Sequence, residues 1–169
     1  YNYFKTDLKN FSSIYTLLCV LLLVNAFNYF DGIDGSLSFS VISVIIILFF
    51  LTREEDFIFF FVILLIPIII FLFFNFSLFK LPKVFLGDSG SLLLGFIISF
   101  VLIFLANQKI VHPILLAWSV VVFVYEFLSV NIVRLKNKKK IFKASNDHLH
   151  HLLLKKNNSI ILTNLIIFI

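Results

Sequence analysis

The sequence predicts an all-α fold, a polytopic transmembrane helix bundle of about five membrane segments plus the start of a sixth. Three observations lead there. The 169 residues are 61% hydrophobic with only 14% charged, and the mean hydropathy is +1.09. Apolar runs close to the roughly 20 residues that a helix needs to cross a bilayer recur along the chain. A soluble domain of this length would expose far more charge.

Phe11–Tyr29 is the first segment and Ser36–Leu51 a short second. Phe57–Phe79 is the third and carries Pro67 in mid-run, which predicts a kink. Ser91–Ala106 and Pro113–Val133 are the fourth and fifth, and Ile160–Ile169 begins a sixth. No repeat or low-complexity linker divides the chain, so residues 1–169 read as one membrane domain. The first run lacks a basic start and a small-residue cleavage site, so it is not a signal peptide. Cys19, the single cysteine, lies in an apolar run and reads as a small buried hydrophobe. The chain starts at Tyr1, has no Met and stops inside an apolar run, and is expected to be the C-terminal part of a longer protein.

Counting crossings puts residues 30–36, 80–90 and 134–158 on one side. These loops hold Lys80, Lys83, Arg134, Lys136, Lys138, Lys139, Lys140, Lys143, Lys155 and Lys156, ten of the fourteen basic residues. The positive-inside rule makes that side cytoplasmic. The basic run 134–143 has two readings, fixing topology against anionic lipid or attracting an anionic substrate. Because it hugs the membrane and belongs to no nucleic-acid module, no nucleic acid is expected as a partner.

Three polar motifs share the cytoplasmic side. In "NAFNYFDGIDG", Asp31 and Asp34 stand three residues apart between Gly32 and Gly35. On a helical turn both carboxylates share a face, and their repulsion raises one pKa unless a cation neutralises them. The motif is either a polar helix end or a site handling metal, nucleotide or protons. In "PKVFLGDSGSLLLGF", Asp88 is either a helix N-cap or a carboxylate that joins a phosphate through a divalent cation. In "SNDHLHHLLLKK", His148, His150 and His151 could donate to a diphosphate. Zinc is the rival, but neither a nearby Cys nor a zinc-type spacing supports it, and a polar surface turn is the plainer reading. His112, in an opposite-side loop, is incidental. Glu126, an acid inside the fifth segment, pairs either with a site cation or with another helix.

These motifs, in this order and on one side, resemble the polyprenyl-phosphate N-acetylhexosamine-1-phosphate transferases, a membrane family of glycosyltransferase-4-like enzymes. The resemblance covers nearly the whole chain, as the C-terminal half of a member. It implies Mg²⁺-dependent transfer of a sugar-1-phosphate from a UDP-N-acetylhexosamine to a polyprenyl (undecaprenyl) phosphate, with release of UMP. Mn²⁺ is the substitute metal. The setting would be the synthesis of cell-wall peptidoglycan, lipopolysaccharide or a related envelope polymer at the inner cell membrane, with the active site cytoplasmic.

By the same resemblance Asp88 is a catalytic residue and metal ligand, with Asn28 at the metal site. Asp31 and Asp34 line the catalytic cleft. Asn25, Asn28, His148, His150 and His151 bind substrate, the lipid acceptor enters along a groove between helices, and a homodimer is allowed. The form "HLHH" resembles the N-acetylglucosamine-type branch more than the muramoyl-pentapeptide branch. Two departures stand out. The family's upstream "DD" pair is absent from the chain, so this portion alone is expected to be inactive. Ser145 stands where relatives carry an Asp, which leaves the role of Asp147 open. The rivals are an ion- or proton-coupled transporter using Asp31, Asp34 and Glu126, and an inactive membrane remnant.

Overall fold

The computed structural model describes residues 12–52, 55–138, 149–157 and 159–168. These residues form eight α-helices and no strand. They are α1 (Ser12–Phe30), α2 (Ser36–Leu51), α3 (Glu55–Asn75), α4 (Gly87–Asn107), α5 (Pro113–Ser119), α6 (Val121–Lys136), α7 (Leu149–Asn157) and α8 (Ile160–Phe168). The all-α reading holds.

The number of spans is smaller than the sequence predicts. Among the described residues α1, α3 and α4 are long and apolar enough to cross a bilayer, and the bent pair α5–α6 makes a fourth if counted as one span. At 16 residues α2 reaches only about 24 Å, short of a hydrocarbon core about 30 Å thick. The fifth segment, expected as one helix, breaks at Val120 and bends by 63°. Meanwhile α3 continues unbroken through Pro67 and ends at Asn75, four residues before the expected boundary. The sequence-derived loop 134–158 contains the last residues of α6 and all of α7.

The centre of the bundle is α1 against α4, with α6 on another face of α1. Ser91, Gly95 and Ser99 repeat every four residues on α4 and are buried. A side chain at Gly95 would put its Cβ 2.9 Å from the Val24 Cα and 3.1 Å from the Phe27 Cβ, so the α1–α4 approach depends on the missing side chain. Phe27 stacks on Phe123 of α6, with ring centroids 4.1 Å apart, and Phe30 meets the same ring at 4.7 Å. By contrast α3 buries only Phe61, Ile68 and Asn75. Its other faces present rings such as Phe59, 68% exposed, as expected of a helix whose solvent is lipid. α2 packs between α3 and α8, and α7 packs on α8.

Candidate functional site

One end of the bundle brings together the first two polar motifs. α1 ends at Phe30, and the turn Asp31–Gly35 reverses the chain into α2. Backbone bonds from Asp31 N–H to the Asn28 carbonyl (3.2 Å) and from Ser36 N–H to the Ile33 carbonyl (3.1 Å) close this turn. Gly35 completes it at φ 76°, a conformation that side-chain-bearing residues rarely adopt. Asp88 stands in the first turn of α4, which begins at Gly87, four residues before the expected Ser91. The N-cap position is Leu86, and no side chain caps the helix. The capping reading of Asp88 is therefore corrected: its carboxylate is exposed and engaged elsewhere.

That engagement crosses the bundle. The amide nitrogen of Asn28, on the last turn of α1, donates to Asp88 Oδ1 at 3.4 Å, which leaves the amide oxygen as a neutral donor for a cation. Asp31 stands next to the same group. Its pKa is raised to about 6, first by burial and then by the negative charge of Asp88. Asn28, Asp31 and Asp88 are thus brought together from two motifs 60 residues apart. Asn25 lies one turn back on α1, exposed, and its amide donates to the Leu21 carbonyl of its own helix at 2.6 Å.

Asp34 faces another partner. Lys83 Nζ lies 2.6 Å from Asp34 Oδ2. The backbone on both sides of this ion pair is pinned by amides that the sequence reading passed over. Asn75, buried at the end of α3, donates from Nδ2 to the Val84 carbonyl at 2.9 Å. Asn164, buried in α8, donates from Nδ2 to the Asp34 carbonyl at 2.8 Å. Phe76 and Asn164 close over Gly35, leaving no room for a Cβ there. The signal available in the sequence was a lone amide side chain in each of two apolar stretches, "LFFNFS" and "ILTNLI".

A third polar contact reaches α6. The Tyr29 hydroxyl donates to Asn131 Oδ1 at 3.4 Å and accepts from Arg134 Nη1 at 3.3 Å. The Arg134 guanidinium also lies 5.4 Å from the Tyr29 ring centroid. The first cation of the basic run therefore turns inward, 3% exposed, beside the end of α1. Glu126 is buried one helical stretch deeper in α6. His148 and Asp147 lie outside the described residues. His150 and His151 belong to α7, whose partner α8 supplies Asn164; their side chains lie outside the described set.

The donor set suits a sparse oxygen site. Among the described residues no three His, Cys, Asp or Glu side chains gather closely enough to hold a metal. What is present is two carboxylates and an amide. Mg²⁺ is commonly held by one or two carboxylates together with substrate phosphates and water. Burial and then the neighbouring Asp88 charge raise the Asp31 pKa, and the two adjacent carboxylates with the Asn28 amide oxygen fit the oxygen-ligand metal that the motifs imply.

Deeper in the bundle, α1, α4 and the α5–α6 bend line an open apolar cavity of about 530 Å³, where Cys19 is exposed rather than buried as the sequence suggests. Cys19, Leu23, Ser99, Leu102, Leu116 and Val124 are among its lining residues.

A helical membrane bundle carrying a carboxylate–amide cluster at one end is the class that fold and site define. Residues 2–106 match the sequence profile of glycosyl transferase family 4, and the chain belongs to that family. It is 28% identical over 154 residues to the undecaprenyl-phosphate alpha-N-acetylglucosaminyl 1-phosphate transferases of Yersinia pestis and Escherichia coli K12. The alignment covers 86% of this chain and 41% of each relative. A probable undecaprenyl-phosphate N-acetylglucosaminyl 1-phosphate transferase of Bacillus subtilis is 29% identical over 145 residues, 82% of this chain and 39% of the relative. The chain thus spans about two fifths of the length of these relatives. No solved structure matches it.

Proposed function

We propose that this chain forms the donor- and metal-binding end of a membrane enzyme that transfers N-acetylhexosamine-1-phosphate from a UDP-sugar to undecaprenyl phosphate. The observation that carries this is the contact of Asn28 with Asp88, with Asp31 alongside, at the basic end of a bundle belonging to glycosyl transferase family 4. Relatives named for this transfer support the donor class.

In the reaction an oxygen of the lipid phosphate attacks the sugar-bearing phosphorus of the donor. The new P–O bond forms as the bond to the UMP oxygen breaks, and UMP leaves with that electron pair. Both partners are anionic, so the barrier is largely electrostatic. Mg²⁺, when bound, would supply the positive charge that draws these phosphates together. Asp88, Asp31 and the Asn28 amide oxygen are the residues to hold it. No side chain caps α4, so the backbone N–H groups of its first turn would be available to a phosphate of the donor. His148, His150 and His151 would contact the donor's diphosphate or sugar. Asn25, exposed one turn before Asn28, would reach the donor's outer parts.

The acceptor's prenyl chain would lie in the apolar cavity beside the α5–α6 bend. Cys19 is twelve residues of helix and turn from Asp31, or about 18 Å at helical rise, within reach of a long prenyl tail. The ten basic residues of the site-side loops support a cytoplasmic site at the inner membrane. The test is UMP release by the full-length protein. Release that requires a UDP-N-acetylhexosamine, undecaprenyl phosphate and Mg²⁺ together is the expected result. Release without acceptor lipid, or none with any UDP-N-acetylhexosamine, would sink the proposal.

A further inference from the structure

We propose that Lys83 is a donor-binding residue whose ammonium contacts the diphosphate, and that its ion pair with Asp34 is the resting contact that presents it. This rests on the donor-site reading above. Nothing in the three motifs assigns Lys83 a part in the chemistry.

The site has a charge problem that Lys83 answers. Asp31 and Asp88 stand together where an anionic diphosphate must enter, with Asp34 three residues on in the same turn, and two carboxylates plus a diphosphate carry more negative charge than one divalent cation would offset. Lys83 Nζ sits 2.6 Å from Asp34 Oδ2, so its charge is held at the turn that also carries Asp31. Its side chain is 42% exposed against 20% for Asp34, so an arriving anion meets the ammonium more readily than the carboxylate behind it. The ammonium also lies 5.0 Å from the centroid of the Phe85 ring, which borders its path.

The pair is built, not incidental. Residues 81–86 have no regular secondary structure, yet the buried Asn75 amide fixes the Val84 carbonyl next to Lys83. On the other side the buried Asn164 amide fixes the carbonyl of Asp34 itself. The Oδ1 atoms of both amides are buried without a hydrogen-bond partner among the described residues, a cost of roughly 1–3 kcal/mol each that an ordinary surface ion pair would not warrant. With the backbone held on both sides, what remains free is the four-carbon stem of Lys83. A lysine stem can carry its charge from a carboxylate to a phosphate oxygen without moving the main chain.

The experiment is calorimetric titration of UDP-N-acetylglucosamine into the full-length protein with Mg²⁺ and without acceptor lipid. Lys83→Met should raise Kd roughly tenfold or more, as expected for a lost charged hydrogen bond, while Lys83→Arg keeps most of the affinity. Melting temperature should change by no more than about 2 °C, since an exposed pair contributes little to stability. The decisive arm is Lys83→Met placed in an Asp34→Asn background. If Lys83 touches the donor, the further loss there is again roughly tenfold. If Lys83 serves only to neutralise Asp34, the second substitution has no effect and the inference falls. It also falls if Lys83→Met alone leaves Kd unchanged. A wild-type protein that releases no UMP and binds no UDP-sugar would instead overturn the donor-site reading itself.

Discussion

Gly35→Ala is the perturbation whose effect can be worked most fully from the structure. Gly35 sits at φ 76°, where adding a Cβ costs roughly 1–2 kcal/mol of backbone strain. The same Cβ would lie 2.6 Å from Cζ and 2.7 Å from Cε2 of Phe76, and 3.1 Å from Asn164 Nδ2. Contacts that short force the ring or the turn to move, and overpacking of this kind costs about 1–3 kcal/mol. The two contributions together come to about 2–5 kcal/mol. At roughly 2–4 °C per kcal/mol, the detergent-solubilised full-length protein should melt about 4–20 °C lower. A change below about 1 °C would refute the packing described around the turn. The steric part can be isolated with Phe76→Ala. In that background Gly35→Ala should cost the backbone strain and the milder 3.1 Å contact with Asn164, so the two substitutions should couple by roughly 1–3 kcal/mol. Additive effects would show that Phe76 does not bear on Gly35.

Gly95→Ala places a Cβ 2.9 Å from the Val24 Cα, a backbone atom that cannot swing aside. α1 and α4 must separate, and the melting temperature should fall by several degrees for a cost of roughly 1–3 kcal/mol; an unchanged value would contradict the α1–α4 contact. Asp31 gives a pH prediction with a definite sign. Its folded pKa, about 6, lies above the ordinary 3.8, so the fold favours the protonated carboxyl. The stability this contributes is fully present below pH 3.8 and is lost as pH rises through 6. Metal-free protein should therefore melt lower at pH 7 than at pH 5, and Asp31→Asn should flatten that slope. Mg²⁺ should restore stability at pH 7 and do little at pH 5, where it must first displace a proton. An identical pH slope in wild type and Asp31→Asn would remove Asp31 from the cluster.

Much of this was legible because membrane helices announce themselves by hydropathy. α1 and α2 fall within a residue or so of their apolar runs, and the motif at 25–35 lands on the turn between them. The bend at Val120 was not legible, since neither Pro nor Gly marks it. There Ser119 Oγ bonds the Leu116 carbonyl at 2.7 Å, and Val120 adopts φ −115° and ψ 9°. Such a break is set by packing around α5, which composition does not encode. The start of α4 was misplaced because "GDSG" reads as loop chemistry, whereas the helix takes these residues into its first turn. The pairing of Asn28 with Asp88 is anticipated by the family resemblance, which puts both at one metal site. Lys83, Asn75 and Asn164 escaped because each is a single polar residue whose role depends on a partner 9 to 130 residues away.

The most direct test of the central claim, that Asp88 with Asn28 and Asp31 forms the metal- and donor-binding end of a phosphosugar transferase, is a Mg²⁺ titration of UMP release. It compares full-length wild-type protein with Asp88→Asn, using UDP-N-acetylglucosamine and undecaprenyl phosphate. The substitution keeps shape and removes one negative charge. Wild-type UMP release should be activated by Mg²⁺, and the variant should lose roughly a hundredfold or more at every Mg²⁺ concentration. A variant whose rate and Mg²⁺ dependence match the wild type would contradict the claim.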